Sequence, residues 1–293
     1  MNVGIAQFAM SSDLAVNLDR AEAHIEQLAG DGADVICLPE LFASRYFCQT
    51  ENPDHYALAE AVPGPTTERF EAVARKLDVA LVLSLFEQRA PGLYHNTAAV
   101  IDGPRGYLGK YRKMHIPDDP RYYEKYYFTP GDMGFRTFDL RVGRIGVLIC
   151  WDQWYPEAAR LTALRGAEVL FYPTAIGWHP EEKDSHGVQQ HGAWETIQRS
   201  HAVANGCFVV SVNRTGFEPE PGGSADEGIQ FWGQSFAVGP DGAVLERLPE
   251  SGESTAVVSL DLDLMAEQRH GWPFLRDRRI DAYGELASRW LDD

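Results

Sequence analysis

Two stretches, G-A-D-V-I-C-L-P-E at residues 32–40 and G-A-E-V-L-F-Y-P-T at residues 166–174, share one pattern in distant parts of the chain. In each of them, glycine and alanine precede an acidic residue, an apolar run and a proline. A short apolar run stands upstream in both cases, V-G-I-A-Q-F at 3–8 and R-I-G-V-L-I-C at 144–150, and residues with helical spacing follow it. The chain therefore predicts a duplicated strand–helix–strand unit.

The duplicated unit predicts parallel strands that are joined by crossover helices. Reactive groups in such sheets lie beyond the carboxyl ends of the strands. Glu40 and Cys150 both end apolar runs of this type. Asn17 is predicted to cap the first helix, and Pro156 to start the helix that follows Cys150. The expected fold class is α/β, with Glu40 and Cys150 at the ends of parallel strands.

The composition is that of an ordinary globular protein, and the charge is strongly acidic. The chain has 293 residues, 44% of them hydrophobic and 24% charged, and we expect one domain over residues 1–293. The formal net charge of −17 argues against nucleic acid as a partner, since phosphate binding needs basic surfaces, and weakly favours a cationic ligand. No apolar run approaches the roughly 18 residues of a membrane helix, so we expect no membrane association.

The four cysteines differ in their surroundings, and only Cys150 is a candidate nucleophile. No C-x-x-C pair occurs, so the sequence predicts no zinc or redox motif and favours a reducing, cytoplasmic setting. Cys37 and Cys207 lie within apolar strands, where a buried structural thiol is expected, and Cys48 lies in a loop. Cys150 ends a strand, and the helix near Pro156 is expected to lower the pKa of its thiol. On the residues alone, a structural role stays open for Cys150 as well.

A nucleophilic thiol needs a base, and the oxyanion that it creates needs a positive group. Glu40 is an acid at the end of an apolar strand, which suits proton transfer. Lys113, in K-Y-R-K-M-H-I-P, has apolar neighbours and is expected to point inward. His179, His186 and His191 lie in a polar segment that predicts a solvated loop, and their spacing matches no metal-ligand motif.

Three motifs resemble, in order and spacing, those of the nitrilase superfamily of carbon–nitrogen hydrolases. They are P-E-L-F at 39–42, K-Y-R-K-M-H at 110–115 and G-V-L-I-C-W-D at 146–152, and the resemblance covers nearly the whole chain. It implies a four-layer α-β-β-α sandwich with an internal pseudo-twofold, in agreement with the repeated unit. It also implies a homo-oligomer that assembles through sheet-flanking helices and a C-terminal tail, residues 271–293.

The same resemblance implies a catalytic set. Glu40 would be the base, Cys150 the nucleophile and Lys113 the positive group, with the backbone N–H of Trp151 as a second oxyanion donor. Glu124 would orient Lys113 and the substrate as the second glutamate. No metal and no organic cofactor are implied.

Residues 115–132 and 148–160 further resemble members of the superfamily that hydrolyse N-carbamoyl amines, whereas residues 178–200 depart from their pattern. The expected reaction is the thiol-dependent cleavage of a linear, non-peptide C–N bond in an N-carbamoyl amine with a cationic tail. Carboxylates and aromatic faces bind such a tail. The residues expected to do so are Tyr46, Trp151, Asp152, Trp178 and Glu195.

Two alternatives remain open at this point. One is the same chemistry on an N-carbamoyl amino acid or a small aliphatic amide. A carboxylate-bearing substrate would call for an arginine, and Arg199 and Arg214 are available. The other is a non-catalytic protein that binds a partner or a metal through its histidines. The intact set of Glu40, Lys113 and Cys150 argues against this second alternative.

Overall fold

Two six-stranded sheets and a small three-stranded sheet make up the computed structural model, which describes residues 1–224 and 226–291. The strands are β1 (Asn2–Gln7), β2 (Val35–Cys37), β3 (Ala80–Ala90), β4 (Leu93–Asp102), β5 (Gly106–Arg112), β6 (Thr137–Leu140), β7 (Gly143–Val147), β8 (Val169–Thr174), β9 (Gly177–Trp178), β10 (Phe208–Asn213), β11 (Thr215–Pro219), β12 (Gly228–Trp232), β13 (Phe236–Val238), β14 (Val244–Arg247) and β15 (Ser254–Ser259). The helices are α1 (Leu14–Gly30), α2 (Pro65–Leu77), α3 (Glu124–Tyr127), α4 (Pro156–Leu164), α5 (Lys183–Asn205) and α6 (Asp263–Gly271).

The two large sheets repeat one topology. The first has the order β15-β1-β2-β3-β4-β5, and the second, read from its other edge, has the order β6-β7-β8-β10-β13-β14. In both, three central strands are parallel, one antiparallel strand flanks them on one side, and antiparallel strands follow on the other side. The duplicated unit that the sequence predicts is therefore present, and it relates the two halves of the fold.

A glycine at the same register in each half lets a helix pack closely on its sheet. Gly4 of β1 pairs with Ile36 of β2, and Gly146 of β7 pairs with Leu170 of β8. A Cβ atom at Gly146 would lie 2.3 Å from the side chain of Thr162 in α4. At Gly4 it would meet side chains of β2, α1 and the turn between them at 2.9–3.3 Å. Gly146 has to be glycine because the helix approaches the strand too closely for a side chain, and at Gly4 the side chain of Ile36 in β2 is the closest neighbour, with α1 only slightly farther away.

The sheets stack face to face between two outer layers of helices. One apolar core joins the inner faces of both sheets and continues to α4 and α5, and a second core joins the first sheet to α1 and α2. The expected four-layer α-β-β-α sandwich with its pseudo-twofold is confirmed. Within residues 1–224 and 226–291, none of the helices combines the length and the apolar character that a membrane span requires.

Two local predictions are wrong. Asp13 rather than Asn17 caps α1, because the Asp13 side chain accepts hydrogen bonds from the first backbone N–H groups of the helix. Asn17 is instead buried inside α1, and its amide donates to the backbone oxygen of Ala43, in the loop after Glu40. The polar segment with three histidines is not a solvated loop, since α5 begins at Lys183 and contains His186 and His191.

Candidate active site

Glu40 follows β2, and its backbone is held in place by two residues of the opposite sheet. Its N–H donates to the backbone oxygen of Thr174, which ends β8, over 3.3 Å. Its own backbone oxygen accepts a 2.6 Å hydrogen bond from the buried guanidinium of Arg214. The next residue, Leu41, has a φ of +50°, so the chain turns sharply after the glutamate. These contacts fix the Glu40 carboxylate in the interior, where it is fully buried.

Lys113 bridges two buried carboxylates. Its Nζ donates to Oε1 of Glu40 over 2.8 Å and to Oε2 of Glu124 over 2.6 Å. The other oxygen of Glu124 accepts a 2.6 Å hydrogen bond from the hydroxyl of Tyr46. The lysine side chain is 0% exposed, so its charge is balanced by these two glutamates and not by solvent. Lys113 follows β5 and points inward as predicted.

Cys150 lies three residues beyond the end of β7, at the first position of a short 3₁₀ helix, Cys150–Trp154. Its φ is +41°, a left-handed conformation that is rare for a residue with a side chain. Such strained positions cluster at functional sites, where the surrounding structure holds them. The Cys150 sulfur lies 3.8 Å from the backbone oxygen of Ala175, and the residue is 5% exposed.

The pKa shifts agree with a resting state made of a thiol and an ion-paired lysine. Burial by itself opposes the charged form of Lys113, but the carboxylates of Glu124 and Glu40 outweigh it, so the pKa of Lys113 lies well above its usual range. Burial raises the pKa of Glu124 to about 7, with Lys113 acting against that rise. Burial and the Glu40 carboxylate raise the pKa of the Cys150 thiol. The predicted lowering of the Cys150 pKa by the helix at Pro156 is therefore wrong.

The two oxygens of the Glu40 carboxylate differ in their hydrogen bonds. Oε1 accepts hydrogen bonds from Lys113 and, over 2.7 Å, from the side-chain amide of Asn96. Oε2 is buried and has no hydrogen-bond partner within the described part of the chain. A buried carboxylate oxygen without a donor is costly unless a reacting group supplies one. A thiol that stays protonated at rest, as in Cys150, is a group that could supply it.

A cavity of about 530 Å³ opens over these residues. Cys150 and Glu124 line it together with the aromatic side chains of Tyr122, Trp151 and Trp154. The exposed and half-buried part of the lining includes three carboxylates, Asp119, Glu181 and Glu182, which we call the acidic rim. The half-buried side chains of Arg121, His179 and Gln190 line the same part of the cavity, and the buried side chain of Trp232 also lines the cavity.

Of the residues predicted to bind the substrate tail, Trp151 lines the cavity and two others lie directly behind its lining. Tyr46 is buried against Glu124, as described above, and its ring lies 5.5 Å from that of Tyr122. Trp178 is buried behind Trp232, with ring centroids 5.0 Å apart. Tyr46 and Trp178 therefore support lining residues and do not form part of the cavity surface.

Asp152 and Glu195 lie outside the cavity, and the structure corrects their predicted placement. In a 3₁₀ helix consecutive side chains point about 120° apart. Asp152 consequently points away from the cavity that Trp151 lines, and its carboxylate accepts hydrogen bonds from Tyr111, His115 and Ile149. Glu195 forms ion pairs with two arginines on the outer side of α5.

The two arginines considered for a carboxylate-bearing substrate are also engaged elsewhere. Arg214 is fully buried and binds the Glu218 carboxylate over 2.7 Å, besides the backbone around Glu40. Arg199 donates to the backbone oxygen of Gly242 and pairs with Glu195. Neither lines the cavity over Cys150. The arginine that does so is Arg121, whose guanidinium pairs with Glu181 and Glu220.

The three histidines have separate surroundings. His179 lies 3.1 Å from Arg121 at the cavity, His186 lies 2.7 Å from the Ser185 hydroxyl, and His191 packs against Trp194. Within residues 1–224 and 226–291, no group of three or more His, Cys, Asp or Glu side chains has the geometry to hold a metal ion.

Sequence reasoning did not identify Asn96 and Arg214 as supports of Glu40, nor Arg121 and the acidic rim as cavity lining. Asn96 lies in the middle of β4 and Arg214 follows β10, far from Glu40 along the chain. A charged residue directly after the apolar run F-V-V-S-V-N of β10 was the one available signal for Arg214. Nothing in the local sequence marks Asn96.

A model of the family described as "Carbon-nitrogen hydrolase" matches residues 2–270. The chain belongs to the carbon–nitrogen hydrolase family. This membership confirms the predicted resemblance to the nitrilase superfamily and the predicted class of enzyme, an amidohydrolase. Among its relatives, N-carbamoylputrescine amidase of Solanum lycopersicum is 42% identical over 98% of this chain and 95% of its own length. Citrullinase of Francisella tularensis is 36% identical over 99% of both chains.

Solved structures of the same family share the fold. A carbon–nitrogen hydrolase from Helicobacter pylori G27 superimposes with a TM-score of 0.96, at 45% identity and with 99% of each chain covered. A mutant of the amidase from Nesterenkonia sp. AN1 superimposes with a TM-score of 0.77, at 27% identity, over 99% of this chain and 97% of that one. The latter structure shows covalent addition of the acetamide moiety of fluoroacetamide at the active-site cysteine.

Proposed function

We propose that this chain hydrolyses an N-carbamoyl amine with a cationic tail, N-carbamoylputrescine, to putrescine, carbon dioxide and ammonia. The observation that carries the proposal is the position of the Glu40–Lys113–Glu124 cluster and Cys150 at the base of a cavity whose outer carboxylates form the acidic rim. The relatives named N-carbamoylputrescine amidase support the choice of this substrate. Cleavage requires no metal or organic cofactor in this scheme.

The first half of the reaction acylates Cys150. Glu40 accepts the thiol proton on its free oxygen, and the sulfur attacks the carbonyl carbon of the ureido group. The Lys113 ammonium and the Trp151 N–H stabilise the oxyanion that forms. The C–N bond to the tail amine then breaks, and the proton held by Glu40 goes to the departing nitrogen. A carbamoyl thioester remains on Cys150.

The second half restores the thiol. Glu40, now ionised again, accepts a proton from a water molecule whose oxygen attacks the thioester carbon. The C–S bond breaks, and the proton returns from Glu40 to the Cys150 sulfur. The product is carbamic acid, which decomposes to carbon dioxide and ammonia. Glu124 keeps the ammonium of Lys113 in place through both halves, because it accepts a hydrogen bond from Nζ and takes no part in the proton transfers of Glu40.

The charge of the outer cavity favours a cation over an anion at the substrate tail. The acidic rim contributes three carboxylates, Asp119, Glu181 and Glu182, against the one guanidinium of Arg121. That guanidinium is already paired with Glu181 and with Glu220, over 3.1 and 2.7 Å. Within the described residues, Asp119 and Glu182 form no ion pair with a lysine or arginine, so they are available to a ligand ammonium.

Substrate discrimination should depend on the tail ammonium. We expect N-carbamoylputrescine to exceed N-butylurea, which lacks the terminal amine, by about tenfold to a few hundredfold in kcat/KM, the scale of one or two charge-assisted contacts. Glu182→Gln should raise KM for N-carbamoylputrescine by about tenfold and leave N-butylurea unaffected. Glu195→Gln, an acid of the same helical segment that lies outside the cavity, is the matched control and should change neither. Ammonia release measures all of these rates.

The same assay tests the rival substrate class. Equal kcat/KM for N-carbamoylputrescine and N-butylurea would contradict recognition of the ammonium. A preference for L-citrulline, an N-carbamoyl compound that carries a carboxylate, would replace the substrate proposal and leave the reaction class standing. The absence of ammonia release from all three compounds would contradict the proposed reaction itself.

We also propose that copies of this chain assemble through the C-terminal tail and the sheet-flanking helix beside it, α4, in a reducing compartment such as the cytoplasm. The tail carries an unusual number of exposed large apolar side chains, which in soluble proteins mark interaction surfaces. They are Trp272, Phe274, Ile280, Tyr283, Leu286, Trp290 and Leu291. The four cysteines are all buried and unpaired, which supports a reducing compartment.

Mutation of the tail should therefore shift the oligomeric state. At micromolar concentration, we expect light scattering to give a dimer or a larger assembly for the wild-type chain. The double variant Ile280→Asp/Leu286→Asp should dissociate to monomers, because each change buries a charge in the interface. Val16→Asp, an exposed apolar position on α1 on the opposite side of the sandwich, should leave the assembly intact. A monomeric wild-type chain would contradict the assembly proposal.

A further inference from the structure

Asp152 is a buried carboxylate that the reaction scheme does not use, although it lies between the two segments that carry the reaction. Its side chain is 0% exposed. Oδ2 accepts hydrogen bonds from the Tyr111 hydroxyl over 2.7 Å and from the Ile149 N–H over 2.9 Å. Oδ1 accepts from the His115 N–H over 3.0 Å and lies 2.7 Å from Nδ1 of the same residue. Since a carboxylate only accepts, that ring nitrogen carries the proton.

These partners flank the reacting residues on both sides. Tyr111 and His115 stand two residues before and two residues after Lys113, and Ile149 directly precedes Cys150. A single carboxylate therefore ties the lysine segment to the cysteine segment. The Asp152 N–H also donates to the backbone oxygen of Ile149 over 3.0 Å. Together with the Ile149 N–H bond to Oδ2, this contact closes the backbone around Cys150.

The closed backbone accounts for the strained conformation of the nucleophile. Cys150 has a φ of +41°, and a residue persists in such a conformation only where its surroundings hold it. The two hydrogen bonds between Ile149 and Asp152 span Cys150 and hold it in this conformation. They also fix the direction of the Trp151 N–H, the second oxyanion donor of the proposed function.

A second chain of contacts connects Asp152 to the cavity wall through His115, Tyr155 and Trp151. The His115 ring that Asp152 orients is stacked on the Tyr155 ring, with centroids 3.7 Å apart and planes 6° from parallel. The Tyr155 hydroxyl accepts a 3.1 Å hydrogen bond from the indole nitrogen of Trp151, which lines the cavity. The carboxylate thus supports both the backbone and the side chain of Trp151.

We propose that Asp152 is a positioning residue that sets the separation between the Lys113 ammonium and the Cys150 sulfur, and with it the oxyanion site. This inference rests on the roles that the proposed function gives to Lys113, Cys150 and Trp151. A displacement of the order of 1 Å between reacting groups lowers the rate of the chemical step by about 100-fold, while binding of a remote substrate tail is unaffected. The effect of Asp152 should therefore fall on kcat.

The test compares Asp152→Asn with the wild-type chain on N-carbamoylputrescine. The variant keeps the size of the side chain but replaces one acceptor by an amide donor, which faces the donors already present. The rate is divided by the number of Cys150 sites at which N-carbamoylputrescine prevents labelling by iodoacetamide, so that unfolded chains, which bind no substrate, do not count. We expect kcat per labelled site to fall about 100-fold and KM to stay within about threefold of wild type.

Asp102→Asn is the matched control. Asp102 is also a buried carboxylate, 1% exposed, and it accepts hydrogen bonds from Arg105 and Arg141 at the end of β4, away from the cavity. Its variant should lose thermal stability as Asp152→Asn does and keep the wild-type kcat per labelled site. If Asp152→Asn behaves like Asp102→Asn, with lower stability and an unchanged kcat, Asp152 is only structural and the inference is wrong.

Two milder variants decide the question if Asp152→Asn does not fold. Tyr111→Phe and His115→Ala each remove donors from the carboxylate, and each should lower kcat per labelled site by about three- to tenfold with little change in KM. An unchanged kcat in both would overturn the inference. Failure of the proposed function gives a different result, since the wild-type chain would then release no ammonia or Cys150→Ala would release as much.

Discussion

Cys150→Ala should abolish ammonia release from N-carbamoylputrescine, with a loss of at least about 10⁴-fold in kcat. The alanine variant removes the atom that forms the covalent bond, and the described lining of the cavity offers no other thiol in its place. The fold should survive, because a small apolar side chain fits a largely buried site. Circular dichroism and thermal melting check the fold in parallel with the activity assay.

Two further variants, one of Glu40 and one of Cys207, serve as comparisons for Cys150→Ala. Glu40→Gln should lose several orders of magnitude as well, because groups that act as a unit fail together. Cys207→Ala, a fully buried thiol in the core of the second half, is the matched control and should keep its kcat. Substantial turnover by Cys150→Ala, or inactivity of Cys207→Ala with its fold intact, would contradict the assignment of the nucleophile.

Lys113→Met should damage both activity and stability. The ammonium holds two buried carboxylates at 2.8 and 2.6 Å, and its removal leaves both Glu40 and Glu124 without their cation. Breaking a buried ion pair in this way costs about 3–5 kcal/mol of the free energy of unfolding. Loss of an oxyanion donor should reduce kcat by about 10³-fold among the chains that remain folded.

The control for Lys113→Met is Lys110→Met, in the same motif. Lys110 does not line the cavity, and it pairs with the buried carboxylate of Glu87 in β3. Its loss should therefore also lower the free energy of unfolding. It should leave kcat per labelled Cys150 within about threefold of wild type, because Lys110 does not contact the reacting groups. Comparable kcat values for the two variants would mean that Lys113 has only a structural role.

Much of the fold could be predicted because its determinants are local and repeated. The pattern of glycine, alanine, acid and apolar residues occurs twice, at 32–40 and 166–174, and each copy produces a buried strand after a helix. Gly4 and Gly146 also recur at matching positions, since each lets a helix approach its strand. Such features can be predicted from short stretches of sequence, without knowledge of contacts between distant residues.

Prediction failed where the direction of a side chain depends on distant contacts. Asp152 follows the nucleophile by two residues, but the 3₁₀ turn points it away from the cavity and toward His115. The sequence does not predict the first part of helix α5, because the residues on the buried face of this helix are mostly polar or small and produce no apolar periodicity. The buried residues of that face are Gly187, Trp194, Gln198, His201, Ala202 and Asn205.

In the proposed catalytic cluster, the identity of the residues could be predicted from the sequence and their arrangement could not. Glu40, Lys113, Cys150 and Glu124 could be named from motifs. Their mutual geometry could not, because Glu40 and Lys113 are brought together only by the pairing of β2, β3, β4 and β5 in one sheet. Arg214 supports Glu40 from the opposite sheet, and no local pattern links the two residues.

Substoichiometric labelling decides whether Cys150 performs covalent chemistry on an N-carbamoyl amine in this cavity. The chain is treated with increasing amounts of iodoacetamide, with and without N-carbamoylputrescine, and residual activity is plotted against the label found on each cysteine peptide. We predict that activity falls in proportion to the label on Cys150 alone, reaches zero at one label per chain, and is protected by the substrate. Full labelling of Cys150 with activity retained, or inactivation that follows the label on Cys37, Cys48 or Cys207, would show that Cys150 is not the nucleophile.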